Sequence, residues 1–267
     1  MLEPNKIYLC DCFELMKELP DKCIDLVVTS PPYDNLRTYN DTLEWNFEIF
    51  QNIAKELVRV LKECGGIVWV VSDATINGSE TGTSFKQALY FKELGLNIHD
   101  TMIWEKSTCT DTGSLQVRYG GCFEYMFVFS KGKVKIFNPI KDRINLNAGR
   151  KKCGTIRLKN GDTKLMSSLG KEIPQIGQRF NIWKINAVFS NNDRQHPAQF
   201  PEELVSDHII SWSNENDLIL DCFSGSGTTA VACHNLKRKF ICIEKDYDYW
   251  KASVERLERE QAQLKLF

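Results

Sequence analysis

The segment Ser30-Pro31-Pro32-Tyr33 places a hydroxyl, several backbone carbonyls and an aromatic ring within four residues. Neither proline has an N–H to donate, and each restricts the residue before it to extended geometry. The segment is therefore a stiff hook whose carbonyls can accept hydrogens from an amine while the ring stacks on a flat group. A proline turn with an incidental tyrosine is the alternative that these four residues leave open.

A second segment combines glycines with carboxylates at strand ends. The run from Gly225 to Ala230 matches the pattern Gly-x-Gly-x-x-Ala, and Glu244 ends the strand that follows. Glycines let the backbone approach a ligand, and a carboxylate in that place binds the two hydroxyls of a ribose. Asp221, just before the glycines, would repel a pyrophosphate but attract an ammonium group. The segment therefore favours S-adenosylmethionine over NAD, with a close-packed turn as the structural alternative.

Short apolar runs predict the strands that position both segments. The predicted strands are Ile7–Asp11, Ile24–Val28, Ile67–Val71, Asn97–Trp104, Glu124–Ser130, Leu218–Leu220 and Phe240–Ile243. The predicted helices are Phe47–Leu61, ended by Gly65 and Gly66, then Phe85–Leu94, His196–Trp212 and a closing helix after Glu244. Open α/β sheets bind ligands at the carboxyl ends of their strands, so the hook and the glycines are expected at one edge.

Charge is distributed unevenly along the 267 residues, whose net charge is −1. From Lys131 to Gln195 there are 15 Lys and Arg against 4 Asp and Glu, a net charge of +11, which leaves −12 for the rest. A cationic module on an acidic scaffold is typical of a nucleic-acid-binding protein. The sequence therefore predicts a basic insert at 131–194, between the segments 1–130 and 195–267.

The ten cysteines contain no CxxC pair, and several lie in apolar runs. Reduced core thiols are therefore expected rather than disulfides or a metal site. No apolar run approaches the roughly 18 residues of a membrane span, and the N-terminus has no basic region leading into one. These features predict a cytoplasmic protein that holds no metal and does not enter the membrane.

Ser30-Pro31-Pro32-Tyr33, together with the run from Asp221 to Thr229, resembles the DNA amino-methyltransferases, which modify the exocyclic nitrogen of adenine or cytosine. The order of the segments is similar to the β group of that family, and the resemblance covers nearly the whole chain. It implies a doubly wound, mostly parallel Rossmann-like α/β sheet, circularly permuted, with the catalytic half at 1–130, a target recognition insert at 131–194 and the cofactor half at 195–267.

The resemblance also implies roles for single residues. Asp11 matches the acidic residue that contacts the cofactor's adenine, although it could equally cap the helix that follows it. Glu244 matches the ribose-binding carboxylate. The run from His196 to Pro201 resembles the segment that holds the methionine end of the cofactor, and it has Phe200 where many family members have lysine. The other implied cofactor residues are His196, Gln199, Pro201, Asp221, Phe223, Ser224, Gly225, Ser226, Gly227 and Thr228.

The implied mechanism starts from a base flipped out of double-stranded DNA. Tyr33 would stack on the base, while the Ser30 side chain and the Pro31 carbonyl accept the hydrogens of its amine. The amine then attacks the activated methyl directly, without a covalent enzyme intermediate. Methylation of cytosine carbon 5 instead uses a cysteine that follows a proline, and this chain has no such dipeptide.

Serine at the first hook position is commoner among family members that make N4-methylcytosine, whereas aspartate mostly marks adenine enzymes. Ser30 therefore favours cytosine N4, with adenine N6 as the alternative. Three other classes stay open: an NAD-dependent oxidoreductase, a non-catalytic DNA-binding protein, and a methyltransferase acting on RNA or a glutamine amide. A homodimer and a cognate restriction endonuclease also stay open as partners.

Overall fold

A computed structural model of the chain describes residues 2–33, 45–107, 116–187 and 201–263. The strands are β1 (Lys6–Leu9), β2 (Ile24–Thr29), β3 (Leu61–Val71), β4 (Thr75–Ile76), β5 (Ser79–Glu80), β6 (Asn97–Glu105), β7 (Phe123–Ser130), β8 (Lys141–Ile144), β9 (Thr155–Arg157), β10 (Thr163–Leu165), β11 (Ile176–Gln178), β12 (Ile182–Lys184), β13 (Leu218–Asp221) and β14 (Lys239–Glu244). The helices are α1 (Cys12–Met16), α2 (Phe47–Val60), α3 (Thr83–Glu93), α4 (Glu202–Trp212), α5 (Thr228–Asn235) and α6 (Tyr247–Ala262).

Eight of the described strands form one sheet in the order β1-β14-β13-β2-β3-β7-β6-β12. Every pairing in it is parallel except the two that β7 makes with β3 and β6. From β13 the chain continues to β14 on one side, and from β2 it continues to β3 on the other, so the strand order reverses between β13 and β2. Doubly wound sheets bind ligands at such a point. The predicted fold class is confirmed.

Helix α2 shows how the sequence builds the layer beside this sheet. Its buried side chains recur three or four residues apart, as in Phe50, Ile53 and Leu57, which gives one apolar face. The Asn46 side chain caps the helix by accepting from the N–H of Ile49 at 2.9 Å. No described helix has the length and apolar character that crossing a membrane requires.

Helix α2 ends within one residue of the predicted Leu61, but the prediction that Gly65 and Gly66 terminate it was wrong. The helix ends at Val60, and both glycines lie inside β3. A side chain at Gly65 would place its Cβ 2.8 Å from the carbonyl oxygen of Asp25 on the neighbouring strand. The glycines therefore allow close pairing of β2 and β3, and they do not terminate the helix.

Residues Pro139–Phe180 form a compact unit of their own. This unit contains the antiparallel pairs β8 with β11 and β9 with β10, and its 10 Lys and Arg against 3 Asp and Glu give it a net charge of +7. The Arg143 guanidinium lies 4.2 Å from the ring centre of Phe180. The unit is shorter than the predicted insert at both ends. Before it, the N–H of Asn138 donates to the carbonyl of Ser211 on α4, and after it β12 pairs with β6 in the main sheet.

His208 on α4 is fully buried against the main sheet. Its ring lies 4.5 Å from that of Trp183 on β12, and Nε2 lies 3.2 Å from the Met126 sulfur on β7. Burial lowers the pKa of His208 from 6.5 to about 3. An unfolded chain therefore binds a proton at this residue below pH 6.5 while the folded chain stays neutral.

We predict that the contribution of His208 to the free energy of unfolding falls as the pH is lowered from 6.5 towards 3, so that the unsubstituted protein loses stability relative to His208→Leu. The difference in free energy of unfolding between the unsubstituted protein and His208→Leu should change by roughly 2–3 kcal/mol between pH 7 and 4.5. Urea unfolding at each pH measures it. The raised pKa values of Asp221 and Glu244 act in the opposite direction. Both proteins share those carboxylates, so the difference reports His208, and equal slopes would contradict the prediction.

Candidate active site

A cleft of about 840 Å³ opens at the carboxyl ends of β2 and β13. It lies where the strand order reverses, as expected for a doubly wound sheet. The predicted residues that line it are Asp11, Ser30, Pro31, Pro32, Tyr33, Asp221, Phe223, Ser224, Gly225, Ser226, Thr228 and Glu244. The hook and the glycine turn, about 190 residues apart in the chain, therefore share one cleft.

The hook forms where β2 ends at Thr29. Pro31 and Pro32 are buried, whereas Ser30 and Tyr33 are half-buried in the cleft wall. The Ser30 hydroxyl donates to the Tyr33 phenol oxygen at 3.0 Å, and the phenol donates to Glu124 Oε2 at 2.7 Å. These two hydrogen bonds hold both side chains of the hook in place.

The glycine turn is joined to β14 through Glu244. The backbone N–H of Gly225 donates to Glu244 Oε2 at 2.7 Å, and that of Asp246 donates to Oε1 at 2.9 Å. Burial raises the pKa of Glu244 from its usual 4.5. The carboxylate therefore lies beside the turn with both oxygens fixed, and its contact with a ribose stays a prediction.

Asp221 has a structural role that the sequence did not reveal. Its Oδ1 accepts from the Thr29 hydroxyl at 2.7 Å and from the N–H of Phe223 at 3.1 Å, and its Oδ2 accepts from the Thr229 hydroxyl at 2.5 Å. Burial raises the pKa of this carboxyl. The predicted contact with a ligand's ammonium group stays a prediction.

Asp11 caps helix α1, because its Oδ1 accepts from the N–H of Phe13 at 2.9 Å. Its Oδ2 lies 3.3 Å from the ammonium of Lys245, the residue after Glu244. The capping alternative is therefore seen in the structure, and the contact with a cofactor adenine stays a prediction.

Two of the predicted cofactor residues that the structure describes, Gly227 and Pro201, do not line the cleft. Gly227 is the residue before helix α5, and Pro201 is the residue before α4. His196 and Gln199 lie outside the described residues. Their implied roles stay predictions.

The cleft also contains residues that the sequence patterns missed. Ile49, Asn52 and Ile53 come from α2, Lys245 directly follows β14, and Tyr249 lies in the first turn of α6. The rings of Trp45 and Phe223 pack edge to face in the same wall, with their centres 5.5 Å apart. The helical spacing of Ile49 and Ile53 was visible, but the sequence alone did not show which edge they face.

Several features of the cleft fit a nucleoside cofactor with a charged amino-acid end. Glu244 supplies an acceptor beside the glycine turn, as described above. The Ser224 hydroxyl is buried in the lining and has no nitrogen or oxygen partner among the described residues. Among the residues that the structure describes, no group of three or more His, Cys, Asp or Glu residues is arranged to hold a metal ion.

The fold and the cleft together define a Rossmann-like methyltransferase. The chain belongs to the DNA methylase family of N6 and N4 methyltransferases, which matches residues 24–255. It is 48% identical over 250 residues to the orphan methyltransferase M.BamHII of Bacillus amyloliquefaciens, covering 91% of this chain and 92% of that protein.

Two solved structures show the same fold. The M1.HpyAVI–SAM complex matches with a TM-score of 0.66 at 24% identity, over 94% of this chain and 98% of that one. The PvuII DNA methyltransferase, described as cytosine-N4-specific, matches with a TM-score of 0.71 at 20% identity, over 100% of this chain and 89% of that one.

Membership of this family confirms the predicted resemblance. It also confirms S-adenosylmethionine as the cofactor and decides against the NAD-dependent oxidoreductase. Its family membership thus identifies the chain as an S-adenosylmethionine-dependent DNA amino-methyltransferase.

We predict that Gly227→Ala destabilises the protein more than Gly82→Ala. Both glycines precede a helix in the left-handed region, with φ of +74° and +67°, so each alanine costs about 1–2 kcal/mol in backbone strain. Only at Gly227 would the new Cβ lie 2.8 Å from that of Ser253, which adds about 1–3 kcal/mol of overpacking. Urea unfolding of both variants measures the difference, and equal losses would contradict it.

Proposed function

We propose that this protein transfers a methyl group from S-adenosylmethionine to N4 of a cytosine flipped out of double-stranded DNA. The observation that carries the proposal is the shared cleft, in which Ser30 and Tyr33 face the same space as Gly225 and Glu244. A nucleobase stacked on Tyr33 would lie within that space, next to a cofactor bound at the glycine turn. Adenine N6 is the second candidate, because an exocyclic amine of either base suits the hook.

The residues of the hook bind and orient the amine. The Ser30 oxygen and the Pro31 carbonyl accept its two hydrogens, so that the nitrogen lone pair points out of the base plane. The Tyr33 ring fixes the plane of the base by stacking. S-adenosylmethionine supplies a methyl group activated by a sulfonium. Positioning of the two reactants in one cleft then accounts for much of the rate.

The unit Pro139–Phe180 supports DNA as the substrate. Its net charge of +7 is opposite in sign to that of the remaining chain, whose net charge is −8 because the whole chain has −1. A cationic module binds the phosphate backbone and supplies affinity that depends on salt. We propose that this unit and its flanking residues, within 131–194, act as the target recognition domain.

The product identifies the base. Unmethylated genomic DNA is incubated with the protein and S-adenosylmethionine carrying a deuterated methyl group, then digested to nucleosides for mass spectrometry. We expect labelled N4-methyldeoxycytidine. Labelled N6-methyldeoxyadenosine alone would overturn the choice of cytosine, and no labelled nucleoside would support a non-catalytic DNA-binding protein.

We predict that Ser30→Ala lowers the single-turnover rate of methyl transfer roughly 100-fold, since the amine loses an acceptor placed for the transition state. Tyr33→Ala should also abolish most activity, because the base loses its stacking surface. Ser79→Ala, an exposed serine on the β4–β5 hairpin, is the matched control and should leave the rate unchanged. A fully active Ser30→Ala protein would argue against the proposed role of the hook.

We predict that Glu244→Gln weakens binding of S-adenosylmethionine about tenfold, because the ribose hydroxyls lose a charged acceptor. The Gly225 N–H also loses a charged partner. Glu258→Gln, an exposed carboxylate on α6, serves as the control. Isothermal calorimetry measures both affinities, and equal values for the two variants would contradict the assignment of Glu244 to the ribose.

A further inference from the structure

Behind the hook lies a buried ion pair that no sequence motif marks. Glu124 is the second residue of the antiparallel strand β7, and only 7% of its side chain is exposed. The ammonium of Lys106, just after β6, contacts its Oε1. Because β7 runs against its neighbours, its amino end lies at the same edge of the sheet as the carboxyl end of β2. Glu124 therefore reaches Tyr33 from behind the cleft wall.

The chemistry of these groups sets the direction of every hydrogen bond between them. An ammonium can only donate, and an ionised carboxylate can only accept. Tyr33 must therefore give its single proton to Glu124, at 2.7 Å. Its oxygen then accepts from Ser30, at 3.0 Å, so the Ser30 proton points away from the cleft. The chain of bonds leaves the Ser30 oxygen with lone pairs for a ligand.

We propose that Glu124, held by Lys106, is a positioning residue that makes Ser30 a hydrogen-bond acceptor toward the target base. This inference rests on the proposed function, in which Ser30 binds an exocyclic amine. An amine donates two hydrogens and suits such a site. A keto oxygen, as on thymine or guanine, would face the Ser30 lone pairs and be disfavoured. The ion pair thus contributes to the choice of amino-bearing bases without touching the base.

The variant Glu124→Gln reverses the direction of the hydrogen bonds that run from Ser30 through Tyr33 to residue 124. Lys106 would bind the new amide oxygen, which turns the amide NH₂ toward Tyr33. The Tyr33 oxygen then accepts from the amide, its proton turns to Ser30, and the Ser30 proton turns into the cleft. In the cleft, the Ser30 proton then faces the N–H of the substrate amine, and two donors cannot form a hydrogen bond. The substitution thus reverses the hydrogen-bond direction while nearly keeping the side-chain volume.

We expect Glu124→Gln to lower the single-turnover methylation rate roughly 10- to 100-fold, with the affinity for S-adenosylmethionine changed by less than about twofold. The Tyr33→Phe variant lacks the hydroxyl that links Glu124 to Ser30. In that variant, Glu124→Gln should therefore change the rate by less than about twofold. Quenched-flow transfer of a labelled methyl group gives the rates, and calorimetry gives the affinities. Glu105→Gln removes a neighbouring carboxylate paired with Lys184 outside the cleft and should leave the rate unchanged.

Two results would overturn the proposal: a Glu124→Gln rate within about twofold of the unsubstituted protein, or the same loss with and without the Tyr33 hydroxyl. The second result would show that Glu124 only supports the fold. Lys106→Met provides the same comparison if Glu124→Gln does not fold, with a smaller loss expected that also disappears in Tyr33→Phe. An unsubstituted protein that binds S-adenosylmethionine but methylates no DNA would instead overturn the proposed function, and this inference with it.

Discussion

The carboxylate of Asp221 joins the two halves of the site, and the geometry of the cleft depends on it. Strands β13 and β2 pair at two positions, Ile219 with Leu26 and Leu220 with Val27, so backbone hydrogen bonds alone join them over a short length. Just beyond, Asp221 accepts from Thr29, the residue before the hook, and from Thr229 at the start of α5. Hydrogen bonds to a buried charged group contribute about 1.5–3 kcal/mol each. One side chain therefore fixes the end of the catalytic strand against the glycine turn, 192 residues away.

The two ends of the cleft differ in charge, and the difference follows from how each carboxylate is held. At the end formed by the glycine turn, Asp221 and Glu244 accept from hydroxyls and backbone N–H groups of the described residues, and burial raises the pKa of both. Such an end suits a ligand with a cationic group. At the hook end, the carboxylate of Glu124 is paired with Lys106 and hidden behind Tyr33. In the proposed function, a neutral base would therefore meet a neutral surface, while the charged cofactor would meet acidic groups.

The parts of this structure that could be predicted from sequence are those that depend on local pattern. Apolar runs located the central strands, and glycines, prolines and carboxylates at their ends located the hook and the glycine turn. The predicted site residues supply 12 of the 26 residues that line the cleft. The structural role of Asp221 could not be predicted, because its partner Thr29 is distant in sequence. Glu124 was taken as the start of a strand, since no pattern showed that this strand is antiparallel. Gly65 was misjudged for a similar reason, because its close neighbour lies on another strand.

The reversed direction of β7 links these features. In a parallel sheet, only residues that follow a strand reach the ligand edge, whereas an antiparallel strand brings its first residue there. The hook end of the cleft is thus built by β2, β6 and β7, all before residue 131, and the glycine turn by β13 and β14. The compact basic unit Pro139–Phe180 lies between these groups of strands in the chain. Sequence changes in that unit can alter its surface without interrupting either set of strands, so the proposed target recognition domain could vary in specificity while the cleft is retained.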